Sequence, residues 1–117
     1  MSTITVYGIP NCDTTQKAMN WLKKQKIAFA FHDYKQSGIS REKLEAWVAI
    51  ENWELLFNKR STSWRELPAA RQQKVLDAAS AINEMLQNNS IIKRPVVEYG
   101  NRLLIGFSEE TWKKALG

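Results

Sequence analysis

Cys12 is the only cysteine of the chain, and it lies in the stretch GIPNCDTTQKAMNWL, between a predicted strand and a predicted helix. Free cysteines are usually buried and inert, but the Pro-Asn before Cys12 and the Asp-Thr-Thr after it are poor neighbours for a core residue. At the start of a helix, unpaired N–H groups and the helix dipole stabilise a thiolate and lower the pKa of the thiol. We therefore interpret Cys12 as a nucleophile that exchanges with disulfides.

The residues on both sides of Cys12 form a predicted loop that holds a thiolate or another anion. This loop consists of Asn11, Asp13, Thr14 and Thr15. The threonine hydroxyls can donate to the sulfur, and the backbone amides can form an anion cradle, whereas the carboxylate of Asp13 opposes a thiolate unless it points away. Thr15 stands where a Cys-x-x-Cys pair would have its second cysteine, so the thiol that resolves a mixed disulfide has to come from another molecule.

The elements expected to position Cys12 form a strand–helix–strand unit. Residues 3–7 alternate and predict the first strand, a helical spacing of apolar residues begins at Asp13 or Thr14, and residues 27–34 predict the second strand. Two strands joined by a helix indicate a parallel pair with a right-handed crossover. Cys12 is then placed where the first strand passes into the helix.

A helical block is predicted after the second strand. Ser40 is expected to cap a helix that contains Leu44, Trp47 and Val48. A short helix is expected over residues 53–57. The polar segment NKRSTSWREL predicts a loop. Pro68 is expected to begin a long helix that ends near QNNS. The apolar stripe of that helix consists of Val75, Leu76, Ala79, Ile82 and Leu86.

The C-terminal part of the chain predicts two strands and a helix. The segment IIKRPVVEYGNRLLIGF has two apolar runs joined by Gly100-Asn101, which is a signal for a two-residue hairpin. Ser108 is expected to cap a last helix in which Trp112 faces the core. The order β-α-β, helical block, β-β-α indicates the α/β class with a mixed sheet.

Length and composition fit one globular domain over residues 1–117, without repeats or linkers. The 17 Lys and Arg residues exceed the 12 Asp and Glu residues and give a net charge of +5, but they are scattered, so nucleic-acid binding is not favoured. One histidine and one cysteine cannot form a metal site. No apolar run approaches the roughly 20 residues of a membrane span and no secretory signal is visible, which predicts a cytoplasmic protein with no membrane partner.

Four stretches resemble the ArsC/Spx/YffB family of arsenate reductase-like proteins: the N-terminal strand, YGIPNCDTTQKA, NKRSTSWREL and KRPVV. Within the second of these, YGIPNCDT is similar to the YffB-type branch of the family. The resemblance covers nearly the whole chain and implies a thioredoxin-like fold with an inserted helical subdomain at about residues 40–88. It also implies that Cys12 is the nucleophile and that Pro95 is a cis-proline facing it. Arg94 corresponds to an arginine that holds the oxyanion over the cysteine in arsenate reductases.

The chain also differs from the residue patterns of this family at several positions. Spx regulators generally carry Cys-x-x-Cys, and this chain has Thr15 at the fourth position. Arsenate reductases linked to glutathione and glutaredoxin use one cysteine with three arginines. Here Arg94 matches one of them, Arg60 lies in the corresponding loop but is offset, and Ile105 and Gly106 occupy the place of the third. Fewer arginines mean a weaker clamp for a doubly charged oxyanion.

The function predicted from these residues is that of a glutathione-dependent thiol/disulfide reductase with a single nucleophilic cysteine. Glutathione is the expected co-substrate, glutaredoxin is a possible protein partner, and no bound cofactor is expected. The glutathione carboxylates are expected to bind Lys17, Arg60 and Arg94, with the backbone beside Pro95 pairing with the peptide. Three alternatives stay open: an arsenate reductase using the same cysteine, a Spx-like regulator that binds RNA polymerase and catalyses nothing, and a domain that kept the fold and lost the activity.

Overall fold

A computed structural model describes residues 4–116 of the chain, and this part divides into two compact units. The first unit contains residues 4–37 and 94–116, and the second is Gly38–Lys93. The helical insertion expected at residues 40–88 falls inside the second unit. That the two units act as one domain stays a prediction.

In chain order the elements are β1 (Ile4–Gly8), α1 (Asp13–Lys24), β2 (Ala30–Asp33), α2 (Tyr34–Ser37), α3 (Arg41–Ile50), α4 (Trp53–Leu56), α5 (Thr62–Arg65), α6 (Ala69–Gln73), α7 (Ala78–Gln87), a 3-10 turn (Asn89–Ile91), β3 (Val96–Tyr99), β4 (Arg102–Ile105) and α8 (Glu109–Leu116). The second predicted strand is shorter than expected, because residues 27–29 have no regular structure and Tyr34 already begins α2. Residue 3 of the first predicted strand lies outside the described residues.

The first unit contains a mixed sheet, whose four strands within residues 4–116 have the order β2-β1-β3-β4. β1 is parallel to β2 and antiparallel to β3, and β3 is antiparallel to β4. The predicted hairpin between β3 and β4 is confirmed, and Gly100 in its turn has a φ of +60°, which suits glycine. The predicted α/β class and the thioredoxin-like β-α-β, β-β-α arrangement are confirmed.

One face of the sheet is covered by α1 and α8, and the core of the first unit lies between them. The buried residues of this core are Val6, Ala18, Met19, Trp21, Leu22, Val97, Leu104 and Trp112. Trp112 is 1% exposed, as its predicted inward position requires, and its indole N–H donates to the carbonyl of Gly106 at 3.1 Å. This packing fixes the N-terminal end of α1 close to the end of β1, where Cys12 lies.

The second unit is built of short helices with side-chain caps. The predicted cap at Ser40 is confirmed, since its hydroxyl accepts from the Lys43 N–H at 3.1 Å. The buried core residues of this unit are Leu44, Trp47, Leu56, Phe57, Ala81, Ile82, Met85, Ile91 and Ile92. An antiparallel bridge between Phe57 and Ile92 ties the middle of the unit to its end.

Two predictions for this unit are wrong. The long helix expected from Pro68 is two helices, α6 and α7, because Asp77 and Ser80 form a capping box that starts α7 anew. Leu76, expected in the buried stripe, is 81% exposed at that break. The segment NKRSTSWREL is not all loop, since Ser61 caps the one-turn helix α5 by accepting from the Trp64 N–H at 3.1 Å.

Among the described residues, no helix is long and apolar enough to cross a membrane.

Candidate functional site

Cys12 is the N-cap residue of α1. Its backbone is extended, with φ −95° and ψ 122°, and its carbonyl accepts the first helical bond from the Gln16 N–H at 2.9 Å. Its own N–H donates to the carbonyl of Ile9 at 3.3 Å, which closes the turn after β1. The side chain is half-buried and carries a free thiol. The sulfur therefore lies at the positive end of α1 and is still partly open to solvent.

The surroundings of Cys12 lower the pKa of its thiol. Burial by itself raises the pKa, whereas the hydroxyl and the backbone N–H of Thr15 lower it. The positive charge of Arg94 and the backbone N–H of Thr14 lower the pKa further. The protein thus stabilises a thiolate, which is the nucleophilic form of cysteine.

Thr15 is the member of the predicted loop whose side chain is fully buried. It packs against Gly8 at the end of β1, where a Cβ atom would come within 2.8 Å of the Thr15 hydroxyl oxygen. The other three loop residues, Asn11, Asp13 and Thr14, have exposed side chains. The role predicted for these residues, holding the Cys12 thiolate or another anion, stays a prediction.

Arg94 and Pro95 precede β3 and are joined by a cis peptide bond, as the family resemblance implies. The carbonyl of Pro95 accepts from the Gly106 N–H at 2.8 Å, which anchors this bond to the residue after β4. Arg94 is half-buried, and its charge acts both on the Cys12 thiol and on the hydroxyl of Tyr34. Arg94 therefore supplies positive charge to the Cys12 site.

Lys17 and Arg60 are the other predicted glutathione-binding residues, and they belong to different units. Lys17 is exposed on α1 and lines a cavity of about 350 Å³ together with Trp21, Phe107 and Glu109, among others, and Cys12 is not part of its lining. Arg60 is an exposed residue of the second unit, in the turn before α5, where its N–H donates to Asn58 Oδ1 at 3.1 Å. The roles predicted for both residues stay predictions.

A polar cluster in the first unit was missed by the sequence analysis. Tyr7 on β1 donates to Glu98 on β3 at 2.6 Å, and its ring lies 4.8 Å from that of its strand partner His32. Burial, followed by the hydrogen bond and the charge of Glu98, raises the pKa of Tyr7. Burial also raises the pKa of the Tyr34 hydroxyl, against which the charge of Arg94 acts. The only signal in the sequence was the alternation along β1, which puts Tyr7 on the face opposite to Val6.

Comparisons with known proteins find relatives along nearly the whole chain. The model of the ArsC family matches residues 7–115. An uncharacterized protein of Haemophilus influenzae is 39% identical over 112 residues, which are 96% of this chain and 97% of that protein. The global transcriptional regulator Spx of Streptococcus agalactiae is 30% identical over 109 residues, 92% of this chain and 78% of that protein.

A solved structure, that of the YFFB (PA3664) protein, is similar to this chain along its length. It is 45% identical, has a TM-score of 0.93, and the alignment covers 98% of this chain and 100% of that one. The resemblance drawn from the motifs around Cys12 and Pro95 is confirmed by the family match and by this structure. The chain belongs to the ArsC family.

Proposed function

We propose that the protein is a monothiol oxidoreductase that removes glutathione from mixed disulfides, with Cys12 as its nucleophile. The observation that carries the proposal is the placement of Cys12 at the N-cap of α1, with a thiol whose pKa is lowered by Thr15 and Arg94. Such surroundings favour the thiolate, which is the form of cysteine that attacks disulfides. A buried structural cysteine has no need of these contacts.

The reaction proceeds in two exchanges. In the first, the Cys12 thiolate attacks the glutathione sulfur of a glutathionylated substrate, a bond forms between the two sulfurs, and the substrate leaves as a thiolate. In the second, the thiolate of a reduced glutathione attacks that same glutathione sulfur, so that oxidised glutathione forms and Cys12 leaves with the electron pair. Because the sequence has one cysteine, the second thiol comes from glutathione or from a protein such as glutaredoxin.

The carboxylates of glutathione would be bound by cationic side chains of the protein. The half-buried Arg94 is the best placed of the predicted residues, since its charge already acts on the Cys12 sulfur. Its planar guanidinium can take a carboxylate through two hydrogen bonds. Lys17 would bind a second carboxylate, and the chain beside Pro95 would pair with the peptide of glutathione as a strand edge does.

The experiment is a turnover assay with a glutathionylated peptide, reduced glutathione, and glutathione reductase with NADPH as the readout. We expect wild-type protein to accelerate removal of glutathione, and Cys12→Ser to abolish the acceleration without changing the fold. Intact mass spectrometry after treatment with oxidised glutathione should show one adduct at Cys12. Absence of the adduct, or equal rates for wild type and Cys12→Ser, would contradict the proposal.

Arsenate reduction and transcriptional regulation are alternative functions, and each is tested by its own assay. The likeness to Spx regulators is the observation that keeps regulation open, and it is tested by capture of RNA polymerase subunits on the immobilised protein. Arsenate reduction would need its oxyanion held mainly by Arg94, since Ile105 and Gly106 stand where a third arginine is expected. We expect turnover with arsenate, glutathione and glutaredoxin to be weak or absent.

A further inference from the structure

One side of α1 forms a wall of the 350 Å³ cavity in the first unit, and this cavity is called the α1 groove below. The residues of α1 and of the turn after it that line the groove are Lys17, Asn20, Trp21, Lys24 and Gln25. Positions spaced i, i+3, i+4, i+7 and i+8 lie on one side of an α-helix. Eight steps of about 1.5 Å give this wall a length of roughly 12 Å. The α1 groove is therefore elongated along the helix.

The floor of the α1 groove contains two aromatic residues that are held by their neighbours. Trp21 is 7% exposed, and its ring lies 6.4 Å from that of the half-buried Phe107. Phe107 in turn packs edge-on against the buried Trp112, with 4.9 Å between the ring centroids. The apolar floor is thus fixed by the core of the first unit. A preformed apolar surface with a few polar groups around it is the usual composition of a binding site.

The rim of the α1 groove carries more positive than negative charge. Lys17 and Lys24 are exposed and stand two turns apart, about 10 Å along α1. Within residues 4–116, neither ammonium group forms a hydrogen bond or an ion pair. Glu109 is the one carboxylate of the lining, and it belongs to the first turn of α8, where the helix dipole favours an anion. The two ammonium groups are therefore available to acidic groups of a ligand.

We propose that the α1 groove binds an extended segment of a partner protein in which two acidic side chains flank one large apolar side chain. The apolar side chain packs on Trp21 and Phe107, and the acidic side chains pair with Lys17 and Lys24. Residues three apart in an extended chain are about 10 Å apart, which equals the spacing of the two lysines along α1. Glu109 accepts a hydrogen bond from a backbone N–H of the segment.

This binding site is separate from the thiol site and goes beyond the proposed function. Cys12 does not line the α1 groove, and Trp21 follows it by nine residues, about 13 Å along α1. A tripeptide spans at most about 11 Å, and the sulfur of glutathione is on its middle residue. A glutathione joined to Cys12 therefore does not reach the centre of the groove, which stays open to a second ligand.

The experiment is a titration of full-length, reduced, ¹⁵N-labelled protein with a capped peptide, Gly-Glu-Ser-Phe-Glu-Gly, followed by NMR. Its glutamates are three residues apart and its phenylalanine lies between them. We expect saturable shifts of the indole N–H of Trp21 and of the amides around Lys24. The same peptide with both glutamates replaced by glutamine, or with the phenylalanine replaced by serine, should bind at least about threefold more weakly. Added salt should weaken the binding of the acidic peptide.

Substitutions on the rim test the charges one at a time. Lys24→Glu is chosen because Lys24 has no predicted role toward glutathione, and it should weaken binding about threefold or more. Lys23→Glu is the matched control, since Lys23 is the exposed neighbour on α1 that does not line the groove. Glu109→Gln should strengthen binding, because it removes the repulsion of an acidic ligand. Far-UV circular dichroism and the thermal midpoint report whether each variant is folded.

The outcomes are distinct from those of the proposed function, because the titration involves no disulfide. Saturable shifts at Trp21, lost more in Lys24→Glu than in Lys23→Glu, support the proposal. No saturable shift, or equal losses in these two variants, overturns it. If reduced glutathione shifts the Trp21 indole as strongly as the acidic peptide does, the groove is a small-ligand site and the proposal is also overturned. If Lys24→Glu does not fold, the comparison of the three peptides on wild type decides the proposal alone.

Discussion

The hydroxyl of Tyr7 donates a 2.6 Å hydrogen bond to Oε1 of Glu98, across 91 residues of sequence. The two residues lie on neighbouring antiparallel strands, where Glu98 faces Thr5 in the register and Tyr7 is its diagonal neighbour on the same face. The bond joins β1, which leads to Cys12, with β3, which follows Arg94 and Pro95. It therefore ties together the two strands whose ends hold the candidate site.

Removing this hydrogen bond should destabilise the protein. A hydrogen bond to a charged group contributes about 1.5–3 kcal/mol, so Tyr7→Phe should lower the free energy of unfolding in urea by an amount of that order. A double-mutant cycle with Glu98→Ala isolates the interaction, and we expect a coupling of about 1 kcal/mol or more. Additive effects of the two substitutions would show that the bond contributes nothing of its own.

Tyr7 should also make the stability of the protein fall at alkaline pH. Its pKa is raised in the folded protein by burial, by the hydrogen bond to Glu98 and by the charge of Glu98. Its contribution to stability is therefore complete below the ordinary tyrosine pKa of about 10 and is lost as the pH rises above it, because the unfolded chain ionises first. The expected slope is about 1.4 kcal/mol per pH unit for this group. Tyr7→Phe should flatten the fall measured by urea unfolding above pH 10, and an unchanged slope would contradict the assignment.

The reactivity of Cys12 should report its lowered pKa. The rate of alkylation by iodoacetamide follows the thiolate, so its rise with pH should come below the range of an unperturbed cysteine. Arg94→Gln should move that rise to higher pH, and by less than Thr15→Val, because the Thr15 hydroxyl acts more strongly on the thiol than Arg94 does. Arg94→Lys keeps the charge and is the matched control. A larger shift for Arg94→Gln than for Thr15→Val would contradict the prediction that Thr15 lowers the pKa of the Cys12 thiol more than Arg94 does.

The lowered pKa of Cys12 also makes the stability of the folded protein depend on pH. The folded protein favours the thiolate, so this contribution is present above the pKa of the unfolded cysteine and is lost as the pH falls through the folded value. It therefore acts in the opposite direction to that of Tyr7.

The parts of the fold that the sequence predicted correctly depend on local chemistry. β1, α1 and the hairpin were found from alternation, helical spacing and the Gly100-Asn101 turn, each of which is set within a few residues. The division of the expected long helix was missed because the apolar stripe continues through Leu76, although Asp77 has the right chemistry for a cap. Burial of that stripe depends on packing within the second unit, which the stripe itself does not encode.

The features of the candidate site divide in the same way into those that have a local signal in the sequence and those that do not. The placement of Cys12 at a helix start followed from its neighbours in sequence. The burial of Thr15 against Gly8 depends on how closely α1 approaches the end of β1. The bond between Tyr7 and Glu98 depends on the register of two distant strands. Neither relationship has a local signal, so both had to come from the structure.

The capping box at the start of α7 should be a measurable source of stability. The Asp77 carboxylate accepts from the Ser80 N–H at 2.9 Å, and the Ser80 hydroxyl accepts from the Asp77 N–H at 3.1 Å. Asp77→Ala should lower the free energy of unfolding in urea, Asp77→Asn should lower it less because it keeps an acceptor, and Leu76→Ser should change it little because Leu76 is exposed. The hydrogen bonds lower the pKa of Asp77, so its contribution should be lost as the pH falls through that value. A larger loss for Leu76→Ser than for Asp77→Ala would contradict the observed helix break.

The ion pair between Arg71 and Glu84 in the second unit should respond unequally to loss of its two members. Arg71 Nη2 lies 2.8 Å from Glu84 Oε2, and the side chains are 42% and 12% exposed, respectively. Without Arg71 the carboxylate stays buried and loses its cation, whereas without Glu84 the guanidinium can turn to water and keep Gln87 as a partner. We therefore expect Arg71→Met to destabilise the protein by about 1–3 kcal/mol and Glu84→Gln, which keeps the shape, to cost less. Urea unfolding of both variants and of the double variant tests this, because the double variant should recover part of the loss of Arg71→Met. Equal costs for the two single variants would show that the carboxylate is hydrated despite its burial.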